Sequence, residues 1–242
     1  MATIFYHPEA YNTDSKTLMG RHAAGESFLR GFMSYSRQTL ENKLDVVVTE
    51  KQHAEIFFSY AKEFNRQEVI KAVLTTSLNT LSTQCPIYFP GPDISKQSKI
   101  RQLGHHSSWS LCGITHTTSS AVSMDAIASW VTSPVQQWDA VICTSKAVKK
   151  NVEVVLQAEV DSLRERLGIT KIVLPRLPVI PLGIHTKDFN YSVEQRANAR
   201  KRLGVKDNTL VVLYTGRLSF HAKAHPLAMY QALENAAQAT GK

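Results

Sequence analysis

Short runs of consecutive apolar and β-branched residues alternate with longer helical patterns along most of this chain. TIFY (residues 3–6), LDVVVT (44–49), PIYFPG (86–91), AVICTS (140–145), KIVLPRLPVIPL (171–182) and TLVVLYTG (209–216) read as strands. Several are apolar at successive rather than alternate positions, the pattern of parallel strands buried on both faces. Residues 21–35, 52–64, 119–131, 146–167 and 193–203 between them read as helices. Strands that alternate with helices predict an α/β fold with a mostly parallel sheet.

Local chemistry supports the boundaries. Thr144 and Ser145 offer N-cap oxygens ahead of the helix over 146–167, and Gly204 stands where the helix ending RKRL should stop. LPRLPVIPLGIHTK (174–187) contains three prolines and a glycine, so no helix runs through it, and it reads as a strand leading into a hinge. The expected organisation is a Rossmann-like domain over residues 1–182, a hinge and linking helix over 183–206, and the first βα unit of a second domain over 207–242. LVVLYTG within that unit is too apolar for an unpaired sheet edge, which would invite aggregation. It calls for neighbours that the following residues do not supply.

With 43% apolar and 20% charged residues the composition is that of a globular protein, and no apolar run reaches the ~18 residues of a membrane span. The N-terminal residues lack the basic and apolar regions of a secretion signal. Cys85, Cys112 and Cys143 are odd in number and widely spaced, which fits buried thiols in a reducing compartment. The expected location is cytoplasmic, with peripheral membrane contact allowed. Residues 1–145 balance 12 basic against 12 acidic side chains, whereas residues 146–242 carry 16 against 8. That asymmetry suggests an anionic partner, such as nucleotide phosphates, nucleic acid or a membrane surface, or else solvated helix faces. The basic stretch lacks interleaved aromatics, which argues against nucleic acid.

Signature motifs of P-loop proteins, Rossmann dinucleotide enzymes, zincins and nucleophile-elbow hydrolases are missing. The cluster HHSSWSLCGITH (105–116) matches no common zinc-finger spacing, and no metal is expected. Open α/β sheets bind ligands at the carboxyl ends of their strands, where helix N-termini face the crevice. Four places qualify. Gly20, before the first long helix, lets a phosphate approach backbone N–H groups or simply makes a turn. His116, ahead of a hydroxyl-rich stretch, either hydrogen-bonds a ligand or plays a structural part. Ser145 and Lys146 line the start of another helix. Gly216 allows a tight turn after a strand, with Arg217 and Lys223 able to grip a diphosphate.

The order of these elements resembles the retaining glycosyltransferases of glycosyltransferase family 4, which share the GT-B architecture of two Rossmann-like domains across a cleft. WDAVICTSKAV (138–148) is similar to the family's "aDaviavSeav" segment. PVIPLGIHTKDF (178–189) is similar to its "v.viPnGvd...F" segment, with Leu182 and His185 where Asn and Asp are usual. VVLYTGRLSFHAKAHPLAMYQAL is similar to the "GRL...KG" start of the donor domain, with one extra residue between Arg217 and Lys223 and Ala224 in place of glycine.

The resemblance implies a hexosyltransferase-type enzyme that moves a sugar from a nucleotide-sugar donor to a glycan or other acceptor with retention and without a metal or other cofactor. It implies that the first domain binds the acceptor and the second the donor. Arg217 and Lys223 would hold the donor diphosphate and stabilise the leaving nucleoside diphosphate. His116 would contact the donor sugar near the reacting centre, and Gly20 and Gly216 would let backbone approach the diphosphate. The family's pair of glutamates, seven residues apart, and its nucleobase pocket would follow Lys242. Two other readings are a non-catalytic acceptor-domain protein that binds a glycan or a protein partner, and an α/β binding protein with a chance GRL motif. The enzyme reading predicts that the protein from its native source has an intact mass well above that of these 242 residues. A mass equal to that of the 242 residues would count against catalysis by this chain alone.

Overall fold

The computed structural model describes residues 3–13, 19–36, 42–81, 85–216, 218 and 225–241. The chain divides into two compact units, Met1–His185 and Thr186–Lys242.

In the first unit, strand β1 (Thr3–Tyr6) leads to helix α1 (Gly20–Tyr35), followed by β2 (Lys43–Val48), α2 (Lys51–Glu63) and β3 (Val69–Leu74). The second half holds β4 (Pro86–Tyr88), α3 (Ile94–Gln102), β5 (Ser110–Thr115), α4 (Ala121–Ala128), β6 (Ala140–Cys143) and α5 (Lys146–Leu167). The six strands form one sheet in the order β3-β2-β1-β4-β5-β6, parallel at every pairing. This is the strand order of a Rossmann-like α/β fold.

Period-2 side-chain alternation divides the core into two layers. Ile4, Val46, Val48, Tyr88 and Ile114 face a cluster with Leu29 and Met33 of α1 and Phe57 and Ala61 of α2. Val47, Ile87, Leu111 and Val141 face the other cluster, with Ile94 of α3, Ile127 of α4 and Val152 and Leu156 of α5. Strands buried on both sides need apolar residues at successive positions, which explains the runs LDVVV and AVIC. Two of the strands were not expected. VIKAVL (β3) and SLCGIT (β5) mix polar or small residues into short runs, and it is pairing with β2 and with β4 and β6 that holds them extended.

Two expected strands are corrected. Residues 171–182 make only isolated bridges to β6, at Ala140–Arg176 and Cys143–Val179. The backbone of Arg176 both accepts from Val141 N–H and donates to Asp139 O at 2.8 Å, and Ile180 N–H donates to Cys143 O at 3.0 Å. Pro178 stands between these two donors, where an N–H would have faced β6, so the ladder is broken. Residues 209–216 pair with no strand among the described residues; Leu210, Val212 and Leu213 are exposed. β-propensity alone does not make a strand without a partner edge.

A buried ion pair ties the second half of the sheet together. Arg101 at the end of α3 meets Asp139 just before β6 through two parallel bonds of 2.7 Å, and both side chains are fully buried. Arg101 also donates to Trp109 O at 2.9 Å and Pro134 O at 3.2 Å. Asp139 accepts from Leu111 N–H and Gln136 N–H, each at 2.8 Å. At the other end, Arg66 pairs with buried Glu68 and donates to the carbonyls of Met33 and Ser36 at the C-terminus of α1. One glycine is required by packing. A Cβ on Gly25 of α1 would sit 2.2 Å from Ala10 O, so glycine lets the helix lie against the 3-10 turn Pro8–Ala10.

The second unit contains α6 (Val193–Arg202) and α7 (Pro226–Thr240). Ser192 and Gln195 form a reciprocal capping box at the start of α6. Arg200 donates to the carbonyls of Lys206, Asp207 and Thr209, folding the following loop back on the helix.

Asp139→Asn keeps the shape of the side chain but leaves the Arg101 charge unpaired in the interior. We expect a loss of about 3–5 kcal/mol, seen in urea unfolding as a lower midpoint at unchanged slope. A loss below about 1 kcal/mol would mean that water or another group replaces the carboxylate.

Candidate functional site

Because all six strands are parallel, their carboxyl ends lie along one edge of the sheet. β1 and β4 are neighbours, yet the chain leaves β1 for β2 on one side and β4 for β5 on the other. Ligands of open α/β sheets bind beside such a reversal. The residues following the six strands at this edge are His7, Thr49, Thr75, Phe89, His116 and Thr144.

His116 stands one residue past β5, half-buried, with its Nδ1 buried and without a hydrogen-bond partner. Desolvation holds its pKa below the ordinary imidazole value, and the nearby Arg21 guanidinium lowers it further. Both effects favour the neutral imidazole over the charged one. Its backbone is fixed from β6: Thr115 Oγ1 donates to Ile142 O at 3.0 Å and Thr144 Oγ1 to Thr115 O at 3.2 Å. Gly113 on β5 lets the preceding loop close in. Its Cβ would meet Gly91 O at 2.7 Å, and that carbonyl accepts from Ile114 N–H at 3.0 Å.

Gly20 is the first residue of α1 and is exposed; a Cβ there would meet nothing within 4 Å. Among the described residues, packing does not demand the glycine. The N-cap residue is Met19, whose N–H donates to the His22 side chain at Nδ1 over 3.3 Å, as in a capping box. Ser145 caps α5 by accepting from Val148 N–H at 3.1 Å, and Lys146 is exposed in that helix's first turn. Gly216 is described in the second unit, where an added Cβ would lie 2.7 Å from the Tyr214 hydroxyl. Arg217 and Lys223 lie outside the described residues. Within the first unit, then, His116 lies within electrostatic reach of Arg21 in the first turn of α1.

Sequence reasoning missed three contributors. Arg21 follows Gly20, and only the tertiary fold sets it beside His116. His7 and His53 meet edge to face with ring centroids 4.8 Å apart, and Thr49 Oγ1 lies 2.9 Å from His53 Nδ1. His7 directly follows β1, so the strand-end rule could have found it. The cluster over 105–116 does not converge. His105 stacks on His106 at 4.5 Å, while Cys112 turns into the sheet, where burial pushes its thiol up to about 11. Among the described residues no group of three or more His, Cys, Asp or Glu could hold a metal, and no helix is long and apolar enough to cross a membrane. No protein-family model, curated protein or solved structure matches the chain.

The unfolded chain binds the His116 proton more tightly than the folded chain does. Acidification through the ordinary imidazole range therefore costs stability. His116→Gln removes this contribution, so the variant should gain on the parent as the pH falls from about 7 to about 5, measured by urea unfolding at each pH. A difference between the two that does not change with pH would contradict a neutral, desolvated imidazole.

Proposed function

We propose that this protein is a retaining glycosyltransferase of glycosyltransferase family 4 with GT-B architecture, residues 1–182 forming its acceptor-side domain and residues 207–242 beginning its donor-binding domain. The observation that carries the reading is the half-buried, neutral His116 with an unpartnered ring nitrogen at the carboxyl edge of a Rossmann-like sheet. The quoted segments at 138–148, 178–189 and 211–233 support it by their order.

The chemistry fits that placement. Glycosyl transfer passes through an oxocarbenium-like transition state with positive charge on the sugar ring. A neutral imidazole can hydrogen-bond a sugar hydroxyl without setting a second cation beside that charge. Arg217 would take two phosphate oxygens at once and Lys223 would add a point charge, so the two would stabilise the leaving nucleoside diphosphate as negative charge develops on it. Neither step needs a metal: the proposed residues provide the charge.

The test is donor binding and turnover in the protein from its native source. UDP- or GDP-sugars at millimolar concentration should raise the melting temperature and release nucleoside diphosphate. Arg217→Ala should cut kcat by at least about tenfold. Neither a thermal shift nor release with any common nucleotide sugar would remove the enzyme reading. A variant with parental turnover would remove the diphosphate clamp.

A further inference from the structure

Two histidines far apart in sequence meet at the carboxyl edge of the sheet. Tyr6 of β1 lies opposite Val48 of β2, so His7 and Thr49 come next on two adjacent strand ends, and neighbouring strands run about 4.8 Å apart. Four residues after Thr49, His53 is the third residue of α2. Its ring meets that of His7 edge to face, with centroids 4.8 Å apart and planes at 73°. Both side chains are half-buried, so solvent reaches the pair.

We propose that His7 and His53 chelate a divalent transition-metal ion of the zinc, nickel or copper kind. The site does not use His116 and does not rest on the glycosyltransferase reading.

The geometry meets what a shared ion requires. An ion bound by imidazole lies near the plane of the ring, about 2.0–2.1 Å from the ligating nitrogen. Two rings on one ion then have centroids roughly 4.5–5.2 Å apart, for angles at the metal from about 90° to about 109°. The observed 4.8 Å falls inside that interval. Planes at 73° cross close beside the two rings, so a single point can lie in both. His105 and His106 fail the same test. Their planes are inclined by only 28° at a centroid distance of 4.5 Å, and they cross well beyond the length of a coordinate bond.

Thr49 meets a second requirement. A ligating histidine usually holds its other ring nitrogen on a hydrogen-bonding partner, which fixes the tautomer and the ring. Thr49 Oγ1 lies 2.9 Å from His53 Nδ1. With Nδ1–H donating to that oxygen, Nε2 carries the lone pair and is the ligating atom. His7 is fixed through its backbone: its carbonyl accepts from Ala10 N–H at 2.9 Å and opens the 3-10 turn that begins at Pro8. Two imidazoles are one fewer than the three ligands of common catalytic zinc sites, and no third His, Cys, Asp or Glu joins them among the described residues. The remaining positions belong to water or to an oxygen of a ligand, which makes this an open chelate rather than a structural site. Nitrogen ligands of this kind hold copper more tightly than nickel or zinc.

The test is isothermal titration of the full chain with Zn²⁺ and, separately, with Ni²⁺, in a non-chelating buffer with the thiols kept reduced. One ion per chain should bind saturably and raise the melting temperature. His7→Gln and His53→Gln should each weaken binding by at least about tenfold, while urea unfolding without metal keeps the parental midpoint. Thr49→Val should weaken it by about tenfold and Thr49→Ser should restore it, as expected of a positioning hydroxyl. The double variant His105→Gln/His106→Gln should bind as the parent does. No saturable binding below about 1 mM would overturn the proposal, as would parental affinity in both His7→Gln and His53→Gln. Loss of binding in the His105→Gln/His106→Gln variant alone would move the ion to that pair and overturn it too. The readout involves no nucleotide sugar, so its failure leaves the enzyme reading untouched.

Discussion

The buried pairing of Arg101 with Asp139 holds the second half of the sheet in register, and the candidate site depends on that register. Two fully desolvated charges persist in a protein interior when they pair closely and further hydrogen bonds meet most of their remaining capacity. Of the Arg101 guanidinium, only Nε lacks a partner among the described residues. Here the carboxylate accepts four bonds, two from the guanidinium and two from backbone N–H groups at the start of β5 and the turn before β6. The guanidinium in turn holds carbonyls at 109 and 134. Helix α3, strand β5 and the approach to β6 thus meet at one pair. The aspartate of WDAVICTSKAV, noticed in the sequence for its likeness to a family segment, has a structural task in this fold.

From that staple the geometry runs along β5 and β6 to the carboxyl edge. Thr115 and Thr144 tie the two strand ends to each other, and Gly113 admits the loop from β4. His116 is then presented at a fixed place, half-buried and neutral, beside the N-terminus of α1. Charge there is asymmetric: the exposed Arg21 acts on an imidazole held toward its neutral form. Such a site favours an anionic or strongly polar ligand without presenting a second cation at the imidazole itself.

Much of the architecture was legible in the sequence. Runs such as LDVVV and AVIC announce strands buried on both sides, and α5 begins where its N-cap serine predicts, ending at Gly168 in the left-handed region. His116 was legible as a strand-end residue ahead of a helix. β3 and β5 were not, because their mixed sequences become strands only between partners. The proline-rich stretch after α5 carried a strand-like composition, but Pro178 removes the one donor needed to complete a ladder with β6. Residues 209–216 show the complementary failure, an apolar run with no edge to pair with among the described residues.

By itself the sequence determined the class of fold, since successive apolar positions at short intervals can be satisfied only by a parallel sheet covered with helices. It also determined which residues cap the helices, because capping is a matter of neighbours within one turn. Tertiary structure decided what lies across the crevice. Arg21 and His116 are 95 positions apart in sequence and come within electrostatic reach of each other only because β1 and β5 flank β4 in one sheet. It also decided what covers one face of the sheet, since α1 and α2 follow β1 and β2 and pack over Ile4, Val46 and Tyr88. Local periodicity shows which residues turn inward; only the strand order shows what packs against them.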